Sequence, residues 1–376
     1  MGCTSRWIVA IATMLVAGSI SVASAVCPTP VGFAFVDLDG NLCHDPSDSG
    51  DVGPLLLDAT TPFTPAAGSL VCPPTVRLNA VVTTSDGQLD WTLPGSAIVD
   101  CAVRVRRQCN QCVNSGGLFV DAGDRIEVGA EVRVSGPIVL TGANGVHVGG
   151  NLGTVFVAHL TASSGDVTTA DRVMIGTRPE IEAGGDVHLG DRTTTQGATI
   201  HAAGSIVFGD RVRMKEKYFA PIVAIASADF LVGDGVSLMT KEEKVQLAAD
   251  ATLGVFRAER MSASGRSVDL SGGTIELGPG TTLRSRMIKP LYPDEGMVDL
   301  HADAAIDADG VRIDAPTEVH LTVASGAVLR FTNGLIRGDG SSTATFTTPP
   351  GGTCDVTGTT FDHVTPVFVG CTPVGP

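Results

Sequence analysis

The sequence predicts an all-β fold, a parallel β-helix with about 20 residues in each coil. Three observations carry this expectation. A short phrase recurs along the chain: a glycine turn, two β-formers separated by one residue, then a second turn. Its alternation is that of half-buried strands and not of helices. Its period is of solenoid length, so each unit must stack on its neighbours to bury its apolar face. The phrase reads Ile126-Glu127-Val128-Gly129, Val146-His147-Val148-Gly149, Val167-Thr168-Thr169-Ala170, Val187-His188-Leu189-Gly190, Ile206-Val207-Phe208-Gly209 and Phe230-Leu231-Val232-Gly233. Its closing small residues, at 129, 149, 170, 190, 209 and 233, are 20, 21, 20, 19 and 24 residues apart.

Residues 1–25 read as a signal peptide. Arg6 precedes an apolar run from Trp7 to about Ala17, and Ala23-Ser24-Ala25 is a small-x-small cleavage site. The run is too short to span a bilayer, so no membrane insertion is expected. Loss of Arg6 takes the formal net charge from −15 to −16. An acidic chain without a basic tail argues against nucleic acid as a partner. The expected location is secreted or at the cell surface, with a periplasm as the other compartment that suits the leader and the cysteines.

Residues 26–115 are rich in Cys, Pro and Asp and lack the clear period; they read as a cysteine-rich N-terminal module or cap. Six cysteines fall there, at 27, 43, 72, 101, 109 and 112, and two more at 354 and 371. In an oxidising compartment this even count implies disulfides. Cys109-Asn110-Gln111-Cys112 is read as a structural staple. Residues 116–348 are the β-helix, with the phrase continuing in Val245-Gln246-Leu247, Val268-Asp269-Leu270, Ile275-Glu276-Leu277, Val298-Asp299-Leu300 and Val319-His320-Leu321. About eleven coils at the usual strand spacing make a rod roughly 50 Å long. Residues 349–376 read as a C-terminal cap, in which a Cys354–Cys371 disulfide would close a short loop worth roughly 3 kcal/mol.

Three segments break the period: 214–221, 239–244 and 284–296. All five lysines, Lys215, Lys217, Lys241, Lys244 and Lys289, and both tyrosines, Tyr218 and Tyr292, fall in them. Lysine beside tyrosine on an acidic rod predicts a partner-binding patch, set against the simpler reading of solvated loops.

The recurring Gly-Asp-Val-x-Leu-Gly with Thr, Ala and Gly between, clearest over 183–212, resembles the repeats of filamentous-haemagglutinin-type adhesins. More broadly it is similar to pectin-lyase-like, right-handed parallel β-helices. The resemblance covers roughly the solenoid and implies a right-handed winding and an adhesive or carbohydrate-directed role. A second resemblance is local. Asp37-Leu38-Asp39-Gly40-Asn41-Leu42-Cys43-His44-Asp45-Pro46-Ser47-Asp48 resembles the calcium loops of dockerins and of B-type adhesin repeats. It implies calcium held by Asp37, Asp39, Asn41, Asp45 and Asp48, with the Cys43 carbonyl as a further ligand. The loop departs from the pattern in having Leu42 where the sharp turn favours glycine, and Asp48 where a bidentate glutamate is usual.

Asp124-Arg125, Asp171-Arg172, Asp191-Arg192 and Asp210-Arg211 recur at turns. Stacked carboxylates about 5 Å apart suit glycosidase chemistry or calcium, but aspartate also favours turns, with arginine neutralising the row, and that reading is preferred. The chain lacks HExxH, GxSxG, a P-loop and the paired acidic motifs of pectinase-like hydrolases. His147 and His188 are expected to point outward, and Arg337-Gly338-Asp339 to be a turn. The expected role is therefore that of an exported, non-enzymatic β-helix protein in adhesion, surface or matrix structure, its partner a cell-surface or matrix glycan or protein. The alternative is a polysaccharide lyase or glycoside hydrolase on the same fold.

Overall fold

The computed structural model describes residues 117–375 except 130, 135, 217–219, 288–295 and 327. Before residue 117 it describes only short strands, by backbone alone apart from Ala97. The predicted signal peptide and nearly all of the candidate calcium loop lie outside the described residues. All regular structure among the described residues is β, and it forms a parallel solenoid of about 11 turns with about 22 residues per turn.

Each coil has three sides. In one of them, face A is Ile138–Gly142, face B is Gly145–Val148 and face C begins at Leu152. Each strand pairs in parallel with its equivalent in the coils before and after. The one antiparallel pair described joins Phe35–Asp37 to Gly68–Val71. Alternation on each face sends every second side chain inward, and the inward residues stack into ladders. On face A the ladder runs Val120, Leu140, Leu160, Ile181, Ile200, Ala224, Leu247, Leu270, Leu300, Leu321, Phe346 and Phe368. On face B it runs Ile126, Val146, Val167, Val187, Ile206, Phe230, Phe256, Ile275, Ile306, Leu329 and Cys354. Face C is more mixed, with the buried Thr195 between Ile175 and Met214. These ladders are the core, and each buried Leu or Ile contributes about 1.5–3 kcal/mol through area removed from water.

The six opening phrases all lie on face B, in register, as their spacing predicts. Four of the five later ones do not. Val245-Gln246-Leu247, Val268-Asp269-Leu270, Val298-Asp299-Leu300 and Val319-His320-Leu321 are face A strands, and only Ile275-Glu276-Leu277 stays on face B. In-out-in alternation is common to all faces, so the phrase alone does not say which side of the coil it occupies.

The three period breaks share one corner. The chain passes from face C to face A between Arg213–Lys215 and Ile222–Ala226, between Phe230–Met239 and Val245–Ala248, and between Thr282–Ser285 and Val298–Asp309. Extra residues there lengthen the later coils, which is why the observed repeat exceeds 20. The strands continue through Thr360–Val374, and the Cys354–Cys371 disulfide joins the last two coils on face B, with its Cα atoms 5.6 Å apart. The apolar filling at this end is aromatic: Phe346 stacks on Phe368 at 5.2 Å and meets Phe361 and Phe331 edge-on.

Candidate functional site

The predicted calcium ligands Asp39, Asn41, Asp45 and Asp48 lie outside the described residues, and Asp37 is described only as the end of a short strand. Of the Lys/Tyr patch, Lys217, Tyr218, Lys289 and Tyr292 also lie outside. Lys215, Lys241 and Lys244 are described, and all three sit at or beside the face C to face A corner on consecutive coils. Lys241 lies 4.0 Å from Glu242, and the Lys244 ammonium donates to Gln246 at 2.6 Å. Nearby, Arg178 approaches the buried Glu216 at 3.8 Å. His147 and His188 point outward as expected, with the Thr168 strand position between them; the His147 ring bonds Thr168 at 2.8 Å.

The turn aspartates have a definite task. At the face B to face C corner the Asp191 backbone N–H donates to Asp171 Oδ1 (2.9 Å), Asp210 N–H to Asp191 Oδ1 (2.8 Å), and Asp234 N–H to Asp210 Oδ1 (2.8 Å). Each carboxylate thus satisfies a donor at the next coil's turn, where no strand pairing reaches it. A second row occupies the face A to face B corner: Asp186 N–H donates to Asp166 Oδ1 and Ser205 N–H to Asp186 Oδ1, at 2.8 and 2.7 Å. Asp124 belongs to this corner too, where it accepts from the Asn144 amide at 3.0 Å. The carboxylate stack explains two of the glycines that close the phrases. A Cβ at Gly209 would come within 2.6 Å of Asp191 Oδ1, and one at Gly233 within 2.7 Å of Asp210 Oδ1. Ala170, the exception, follows a coil whose corner is Gly149-Gly150 and holds no carboxylate.

The arginines after these aspartates do not neutralise them by contact. Arg172, Arg192 and Arg211 have φ of 62°, 59° and 58°, so they hold the left-handed turn position, and no ion pair joins them to the aspartate row among the described residues. The next coil has Gly235 there, at φ 69°.

Charged side chains also gather where the longest interruption enters. A cleft of about 480 Å³ opens at the face C to face A corner, lined by Arg284, Arg286, Arg312 and Arg337 with Asp314 and Asp339. The strands bring these together from three successive coils, because Arg284, Asp314 and Arg337 occupy one register position. Arg312 holds Asp314 through Nε at 3.1 and 3.0 Å and through Nη2 at 2.9 Å. Arg337 holds Asp362 at 2.7 Å. Asp339 accepts from the Ser341 N–H and from the Ser341 and Ser342 hydroxyls, which hold its carboxyl below the usual range. Both charged side chains of Arg337-Gly338-Asp339 are therefore engaged within the fold. Arg284 and Arg286 have no acidic partner among the described residues, and Arg286 Nε is buried without a hydrogen bond.

On the other side of this corner, face A carries an outward row of Asp269, Asp299 and His320 on adjacent coils, with His301 two positions along the strand from Asp299. Burial raises the Asp299 carboxyl above the usual aspartate range, while His320 and His301 pull the other way. The cleft was not visible as a motif, since its members lie on different coils at irregular spacing; Asp269, Asp299 and His320 are the middle residues of three repeat phrases, and only the fold puts them on one face.

No family model, no curated protein and no solved structure matches the chain. Its class rests on the fold itself: a parallel β-solenoid protein of about 11 turns, closed near its C-terminal end by a disulfide.

Proposed function

We propose that this chain is exported and serves as a non-enzymatic solenoid in adhesion, surface or matrix structure, winding right-handed in the pectin-lyase-like manner and engaging a cell-surface or matrix glycan or protein. The observation that carries the reading is the use of the turn aspartates. The side chains that best suited stacked-carboxylate chemistry instead bond the backbone of the next coil, which is a scaffold's use of them. A glycan array run beside a polysaccharide-degradation screen tests it. Retention on immobilised glycans or matrix proteins without cleavage is the expected result, and release of oligosaccharide products would overturn the non-enzymatic role. Calcium binding by Asp37, Asp39, Asn41, Asp45 and Asp48 belongs to this proposal; chelation is expected to lower the unfolding midpoint, and an unchanged midpoint refutes a stabilising ion. The patch is tested by Lys217→Ala with Tyr218→Ala, where unimpaired retention counts against it.

The second reading, a polysaccharide lyase or glycoside hydrolase, draws on face A. Asp269 and Asp299 stand on neighbouring strands, about 5 Å apart by sheet spacing, and burial shifts the Asp299 carboxyl in the direction a general acid needs. If the screen finds cleavage, Asp299→Asn should reduce it by two orders of magnitude or more; undiminished turnover removes Asp299 from the chemistry.

A further inference from the structure

We infer that the corner cleft of Arg284, Arg286, Arg312 and Arg337 is a binding site for the acid groups of an anionic glycan. The inference goes beyond the adhesive reading and holds whether the protein retains its ligand or cleaves it.

The charge count supports an anion. Among the described residues four guanidiniums face two carboxylates in the lining, on a chain whose formal net charge is −15. The four arginines divide into two kinds. Arg312 and Arg337 are held by Asp314 and Asp362, which fix them in place. Arg284 and Arg286 lack any such partner among the described residues. The buried Nε–H of Arg286 lacks an acceptor as well, and an unpaired buried donor costs about 1–3 kcal/mol. An oxyanion in the cleft meets the exposed guanidinium of Arg284, and a planar guanidinium fork matches both carboxylate and sulfate.

The ligand's form follows from the coils. Arg284 and Arg337 are two strands apart, hence about 10 Å along the axis. A linear polymer whose acid groups recur at about that distance meets Arg284 and Arg337, and passes Asp314 between them, whose charge Arg312 offsets. Carboxylated and sulfated glycans share the required chemistry.

The test uses the purified chain and three polymers with one backbone: dextran sulfate, carboxymethyl-dextran and uncharged dextran. The wild type is expected to bind one or both charged polymers and not dextran; which of the two it binds identifies the acid group. Arg284→Ala with Arg286→Ala should raise Kd at least tenfold and make its salt dependence shallower. The corresponding double lysine variant should fall between them. Arg125→Ala, exposed on face B towards the other end of the rod, should change nothing. If the double alanine variant fails to fold, Arg284→Ala alone carries the test, because its side chain is exposed; a threefold or greater rise in Kd is expected. Equal binding by wild type and variants, or equal binding of charged and uncharged dextran, overturns the assignment.

Discussion

Asp191 stands at the centre of the turn row: its N–H donates to Asp171 and its Oδ1 accepts from Asp210. Asp191→Ala leaves the Asp210 N–H without its acceptor. A loss of about 1–2 kcal/mol is expected, read as faster amide hydrogen exchange at that turn. Arg192 presents the reverse case. A non-glycine residue in the left-handed region costs about 1–2 kcal/mol, and glycine's greater chain entropy returns about half of that. Arg192→Gly should therefore stabilise the chain by about 0.5–1 kcal/mol in urea unfolding, as the native Gly235 already suggests two coils further on. At Asp299 the sign is set by burial. Its folded-state value is raised, so the proton stays on in the folded protein beyond the pH at which the unfolded chain loses it. Stability from this group is complete below about pH 4 and falls as pH climbs through the folded value. Asp299→Asn should flatten that fall and raise the unfolding midpoint at neutral pH; an unchanged pH profile would show that burial is not felt there.

Among the elements, the disulfide coil and the insertion corner differ most in what they tolerate. Cys354 lies fully buried in the face B ladder and Cys371 belongs to the last coil, 17 residues on. Replacing both by serine should cost about 3 kcal/mol. Because coils in a solenoid contact only their neighbours, the loss should appear as exchange over residues 355–374 and leave the middle coils protected. The face C to face A corner already carries connections of several lengths. A short polar insertion between Lys241 and Glu242 should therefore be tolerated. The same insertion between Gly184 and Gly185 should not, because Gly184 N–H and Gly185 N–H bond the preceding turn and a Cβ at Gly185 would meet Asp166 at 2.2 Å. Thermal unfolding of the two variants distinguishes them.

For the whole molecule, the sequence was most readable where the coil was most regular. The steps from Ile126 to Phe230 state the face B register directly, since equal turns place equal residues over one another. Three-sidedness was not readable. The face C ladder, with Leu152, Ile175, Thr195, Met214, Leu238, Ala263, Leu283 and Ile313, is nearly as apolar as the other two, so alternation alone does not separate the faces. The aspartate row at the face B to face C corner was visible because its members share a spacing. Its counterpart with Asp166, Asp186 and Ser205 was not, because serine replaces aspartate within three coils. The arginine cleft needed the fold itself: Arg284 and Arg312 become neighbouring-coil residues only because the connection between their coils absorbs the interruption that hides the period.

The terminal disulfide also has a mechanical consequence. Tension applied beyond Val374 enters at Cys371 and passes through sulfur to Cys354, so the chain between them carries no load. The outermost coil, which would otherwise peel away first, is bypassed, and force falls on the coil beneath it. Pulled singly, the oxidised rod should give its first extension step at higher force than the reduced one. The residues between the two cysteines should be absent from its released length until the bond is cut.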